Sequence, residues 1–239
     1  MRADISRSFA PMLVHVLTAS CVLLAFQAVL LVFDGNYGAA LQVLGLATFV
    51  DSIDGTLARM LDVKRRVPWI DGSLIDNIAD YLTWVFVPLL WAYVFAGASP
   101  AIVALCLMTS VFGFSHTGAK TDDHFFRGFP SYWNFLILYF FVFEAGSTAV
   151  NSVLLVCGLL VLAPIKLIYP SRTSAFFRLT LILSIPYAGL LISMLWLLQD
   201  TPLWIPLVSL YYPVYYVVAS AIAVVRGADT GHAKNDSSG

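Results

Sequence analysis

Residues 9–33 read FAPMLVHVLTASCVLLAFQAVLLVF. These 25 residues carry no Asp, Glu, Lys or Arg, and a helix needs only about 20 mainly apolar residues to cross a hydrocarbon core. Arg2 and Arg7 precede the run, as in a secretory signal, but a signal's apolar region is about 7–15 residues long. The run therefore reads as a retained first membrane span.

Scanning outward for comparable stretches gives eight candidate spans: 10–33, 37–61, 73–96, 99–116, 132–145, 149–169, 176–198 and 202–225. The expected fold is all-α, a polytopic transmembrane helix bundle of about eight spans. Composition agrees, because 11% of residues are charged and 60% hydrophobic, against about 25% charged in a soluble domain. A net charge of -1 excludes a nucleic-acid partner, which demands a basic excess. Cys21, Cys106 and Cys157 all lie inside apolar runs and read as small apolar filler. One membrane domain is expected over 1–226, followed by a polar tail, 227–239, with nothing to order it.

The basic residues set the orientation. All thirteen fall in the N-terminal segment, around the 62–72 turn, in the 117–131 loop, beside the sixth connection or after the last span. The alternate connections, near Asp34–Gly38, Gly97–Pro100, Ala145–Thr148 and Gln199–Pro202, have none. Basic residues mark the cytoplasmic side, so both termini and the long loops are expected there.

Four aspartates interrupt the second and third spans. Asp51 and Asp54 are three apart, Asp76 and Asp80 four apart, so each pair shares a helix face about 5–6 Å apart. The short turn between the spans predicts antiparallel neighbours whose pairs meet near the cytoplasmic end. Charge within the bilayer costs about 2.5–3.5 kcal/mol per residue or more, and oxygen-ligated divalent cations are the natural compensation. Two such ions form a clamp for displacement at phosphorus. A polar seam joining two helices is the blander reading. Gly55, Ala58 and Gly72 open space along the same helices, and Arg59 offers a planar fork to a phosphate.

The pattern Asp51-Ser-Ile-Asp54-Gly55-Thr-Leu-Ala58-Arg59, then twelve residues, then Gly72-x3-Asp76-x3-Asp80 resembles the signature of the CDP-alcohol phosphotransferase family. The spacer is longer than the usual family form and resembles that of the bacterial phosphatidylcholine synthase branch. So does the stretch from Lys120-Thr121 to Gly128-Phe129-Pro130-Ser131-Tyr132-Trp133-Asn134. The resemblance implies that Asp51, Asp54, Asp76 and Asp80 hold two Mg2+ or Mn2+ ions, and that Asp80 doubles as general base. Gly55, Ala58, Arg59 and Gly72 would border the CDP moiety. The implied reaction condenses choline with CDP-diacylglycerol at the cytoplasmic face of a bacterial inner membrane, releasing CMP. Family members are often homodimers, and membrane lipids surround them.

Two rivals stand beside this reading. One is the same chemistry with serine, glycerol phosphate or inositol as acceptor. The other is a cation-coupled transporter, although transporters favour midplane sites and internal repeats, and no repeat is visible here. Lys120, Arg127, Lys166 and Arg172 are candidates for phosphate or headgroup contacts. A quaternary ammonium lacks an N–H, so aromatic faces or nearby carboxylates must recognise it; Tyr81, Tyr132 and Trp133 are the aromatic candidates. Trp84, Trp91, Trp196 and Trp204 read as interface anchors or lipid-facing bulk. His15 reads as a satisfied core histidine, and Asp62 and Asp71 as solvated turn residues.

Overall fold

A computed structural model describes residues 5–116, 125–168 and 176–235. Helices occupy all eight apolar stretches. They are α1 (Ile5–Phe33), α2 (Tyr37–Met60), the short turn α3 (Val63–Arg66), α4 (Gly72–Asp80), α5 (Val87–Val94) and α6 (Pro100–Ser115). Then come α7 (Trp133–Val142), α8 (Ser147–Val161), α9 (Phe177–Leu197), α10 (Trp204–Ser209) and α11 (Tyr211–Asn235). Three stretches are each long and apolar enough to cross a membrane: Phe9–Phe33, Phe177–Asp200 and Trp204–Val225. The outside is lipid-like, since Phe26, Phe33, Ile185 and Trp196 are 62–82% exposed, and a soluble monomer rarely shows so extended an apolar surface.

α1 and α2 pack through matching stripes. Val14, Thr18, Cys21, Ala25, Ala28 and Val32 are buried on α1, and Ala40, Leu44, Ala47 and Asp54 on α2. Their three-and-four spacing is the period of one helix face. Small side chains along both stripes let the backbones approach, the usual means of holding helices together in lipid. α1 also packs closely on α4, whereas α2 and α4 are not among the close helix pairs. The two carboxylate-bearing helices thus share α1 as a common packing partner.

Between α4 and α5 the helix widens into a π segment, Tyr81–Phe86. The cause lies one turn on. Pro88 has no N–H for the Trp84 carbonyl, and its ring would collide with that carbonyl in a regular α-helix. A π turn relieves the clash, and such turns often sit at functional sites.

Three expectations need correction. The span expected over 149–169 ends at Val161, before Pro164. Its remainder forms strand β2 (Lys166–Ile168), antiparallel to β1 (Phe125–Arg127), so the helical fold carries one short ribbon. α11 continues as far as Asn235, through most of the segment read as a polar tail. Trp91, read as an interface residue, is wholly enclosed, donates its indole N–H to the Tyr37 carbonyl at 3.1 Å and packs on Phe95 and Phe141.

Candidate active site

The α2 stripe that packs the helix also delivers its carboxylates. Asp51 follows Ala47 by four residues and Asp54 follows Asp51 by three, so the packing face changes from alanine to aspartate without changing direction. Asp76 and Asp80 lie one turn apart on α4, with Asp80 its last residue. Carboxylate oxygens of Asp51, Asp76 and Asp80 all lie within 4.8 Å of one another, and all three residues are half-buried. Three anionic groups this close, partly withdrawn from water, repel strongly. A hard divalent cation with oxygen ligands is the species that this donor set fits.

Asp54 stands outside that triplet. It is only 5% exposed and accepts a hydrogen bond at 2.6 Å from the Thr18 hydroxyl on α1. The structure therefore gathers three of the four expected ligands and holds the fourth through Thr18, a residue outside the signature.

The small residues divide in the same way. A Cβ added at Gly55 would meet only the Arg59 guanidinium, at 3.5 Å, so the space beside Gly55 is open. At Gly72 a Cβ would meet His15 Cε1 at 2.7 Å. The gap expected for a ligand beside Gly72 is taken by an imidazole from α1. His15 is buried, and its Nε2 has no hydrogen-bond partner, which corrects its reading as satisfied. Ala58 is half-buried. Arg59 is exposed and donates to the Thr56 hydroxyl at 3.0 Å.

Asp71 is more than a solvated turn residue. Its carboxylate accepts from the Ser73 hydroxyl and from the Ser73 and Leu74 N–H groups at 2.6–3.2 Å, capping α4. The Ser73 hydroxyl first, and then the Leu74 N–H, hold it below the usual carboxylate range. The cap fixes where α4 begins, and with it the register of Asp76 and Asp80.

Of the basic candidates, Lys120 and Arg172 lie outside the described residues. Arg127 and Lys166, remote in sequence, stand directly opposite each other across the ribbon, and both are exposed. Like charges in cross-strand register are unfavourable alone and become favourable when an anion sits between them. Lys166 Nζ also lies 5.6 Å from the Phe125 ring centroid.

The aromatic candidates separate. Trp133 is fully enclosed, its indole N–H donating to the Ser110 hydroxyl at 3.0 Å, so its ring packs α7 against α6. Tyr81 donates to the Leu107 carbonyl at 3.2 Å and meets Phe114 edge-on. Tyr132 instead lies against Trp84, with centroids 5.9 Å apart, and the Trp84 indole is near the Asp51 carboxylate. Trp84, read from sequence as an interface anchor or lipid-facing bulk, is thus an aromatic near a carboxylate of the cluster. Thr18 and His15 were missed as well; the signal available was their three-residue spacing on α1, which puts both on one face.

Comparison with known proteins finds relatives of this chain. The family model of the CDP-alcohol phosphatidyltransferases matches residues 10–165. A phosphatidylcholine synthase of Legionella pneumophila is 40% identical over 174 residues, 70% of this chain and 68% of that protein. One of Brucella melitensis is 35% identical over 196 residues, 80% of this chain and 71% of that protein. One of Rhizobium johnstonii is 33% identical over 220 residues, 87% of this chain and 88% of that protein.

Proposed function

The chain belongs to the CDP-alcohol phosphatidyltransferase family, and from that premise we propose that it condenses choline with CDP-diacylglycerol, giving phosphatidylcholine and CMP. The observation that carries this reading is the convergence of Asp51, Asp76 and Asp80 within 4.8 Å, in a chain 33–40% identical to three bacterial phosphatidylcholine synthases. The acceptor is taken from those relatives; the carboxylate cluster supports the chemistry.

Asp80 takes the proton of the choline hydroxyl. The freed oxygen attacks the phosphorus that carries the lipid, a new P–O bond forms, and the P–O bond to CMP breaks. Bound Mg2+ or Mn2+, two ions held by Asp51, Asp76 and Asp80 with Asp54, would supply charge compensation at that phosphorus and at the departing CMP. A positioned base is worth about 10²–10⁴ in rate; the rest is orientation and electrostatics. The open side of Gly55 and the half-buried Ala58 would receive the nucleotide. Arg127 and Lys166 would grip a phosphate or lipid headgroup.

The eight helical stretches are read as eight spans with both termini and the site at the cytoplasmic face of the inner membrane, the side on which every basic residue falls. A soluble alcohol, a nucleotide and a lipid phosphate can all meet there.

The deciding experiment supplies purified protein in detergent with CDP-diacylglycerol, Mn2+ and, separately, choline, serine, glycerol phosphate and inositol. CMP release that requires choline supports the proposal. Release with another alcohol alone reassigns the acceptor, and no release with any alcohol refutes the transferase reading.

A further inference from the structure

Three aromatic rings meet beside the carboxylate cluster. Trp84 comes from the π segment, and Tyr132 and Phe135 lie one turn apart at the start of α7. Centroid separations are 5.9 Å for Trp84–Tyr132, 5.3 Å for Trp84–Phe135 and 5.7 Å for Tyr132–Phe135. All three residues are only half-buried, so the trio keeps surface available. Trp84 follows Asp80 by four residues in the π segment that continues α4, which places this trio beside the cluster.

The spacing decides what the trio can hold. The rings are too close for a cation to lie among them. A cation about 5 Å from all three centroids, within the roughly 6 Å reach of a cation–π contact, would sit about 4 Å off the plane through them. The trio is a floor for a bulky cation and not a closed box.

We propose that Trp84, Tyr132 and Phe135 form the acceptor subsite that binds the quaternary ammonium of choline beside the carboxylate cluster. This rests on the function proposed above and replaces Trp133 and Tyr81, whose polar groups are engaged elsewhere. Trp84 lies next to both the other rings and the cluster, so the acceptor's charge is placed close to the carboxylates.

The test measures KM for choline and for CDP-diacylglycerol on Tyr132→Leu, Tyr132→Phe and Phe135→Leu, with N,N-dimethylethanolamine as competing acceptor. Loss of one ring should raise the choline KM about three- to tenfold and leave the CDP-diacylglycerol KM unchanged. Preference for choline over the dimethyl amine, which retains an N–H, should fall by the same factor. Tyr132→Phe keeps the aromatic face and should resemble the wild type. Parallel rises in both KM values, or no rise in either, overturn the subsite. If Tyr132→Leu does not fold, the Phe135→Leu selectivity decides alone. Failure of the wild type itself to release CMP with choline would instead remove the functional reading, and the subsite with it.

Discussion

Thr18→Val removes one proton donor while keeping the shape of the side chain. In the folded protein the Thr18 hydroxyl and the Asp54 carboxylate are both more than nine-tenths buried, and the bond between them is 2.6 Å. A hydrogen bond to a charged group contributes about 1.5–3 kcal/mol, and each 1.4 kcal/mol is about tenfold in affinity. Residues that orient a metal ligand from behind cost about 10–100-fold in metal affinity when lost, which is the same range reached independently. The half-saturating Mn2+ concentration for CMP release should therefore rise about 10–100-fold. The rate at saturating Mn2+ should largely recover, because Asp51, Asp76 and Asp80 remain in place. Calorimetric Mn2+ binding in detergent gives a second readout, and Thr18→Ser should restore both. An unaltered Mn2+ dependence in the valine variant would refute the idea that α1 orients Asp54 for metal binding.

Asp80→Asn should abolish CMP release while the protein still purifies as a folded species, because one carboxylate serves as both ligand and base; normal release with saturating choline and CDP-diacylglycerol would remove Asp80 from the mechanism. Asp51→Asn and Asp76→Asn should each be inactive with weakened Mn2+ binding by calorimetry, and unchanged binding in both would end the metal-centre proposal. Ala58→Leu should abolish CDP binding but leave Mn2+ binding intact; undiminished CDP affinity would make Ala58 a packing residue only.

What the sequence shows and what it hides have one physical origin. Periodicity reports which face of a helix is used, so the Asp51/Asp54 and Asp76/Asp80 pairs and the apolar stretches are legible from spacing alone. It does not report which helix lies opposite. The short turn between α2 and α4 predicts that their carboxylates meet, as those of Asp51, Asp76 and Asp80 do, but not that α1 packs on both helices. That third helix explains three differences at once: Asp54 is held by Thr18, the space beside Gly72 is filled by His15, and the signature alone does not complete the site. Local backbone chemistry explains the rest. A 3.6-residue count carried through Asp80 takes no account of the missing N–H of Pro88, yet that proline widens the helix over Tyr81–Phe86. Trp84 lies in that widened segment, near Asp51. Asp71 likewise looks like one more charged turn residue until Ser73 and Leu74 are seen bonding to it. The ribbon of Phe125–Arg127 with Lys166–Ile168 is three residues per strand, too short for any alternation to register. It nevertheless sets Arg127 opposite Lys166, a pairing that long-range contact creates and that no window along the chain contains. The residues that surround the carboxylates are thus supplied by tertiary partners, while the carboxylates themselves are written locally.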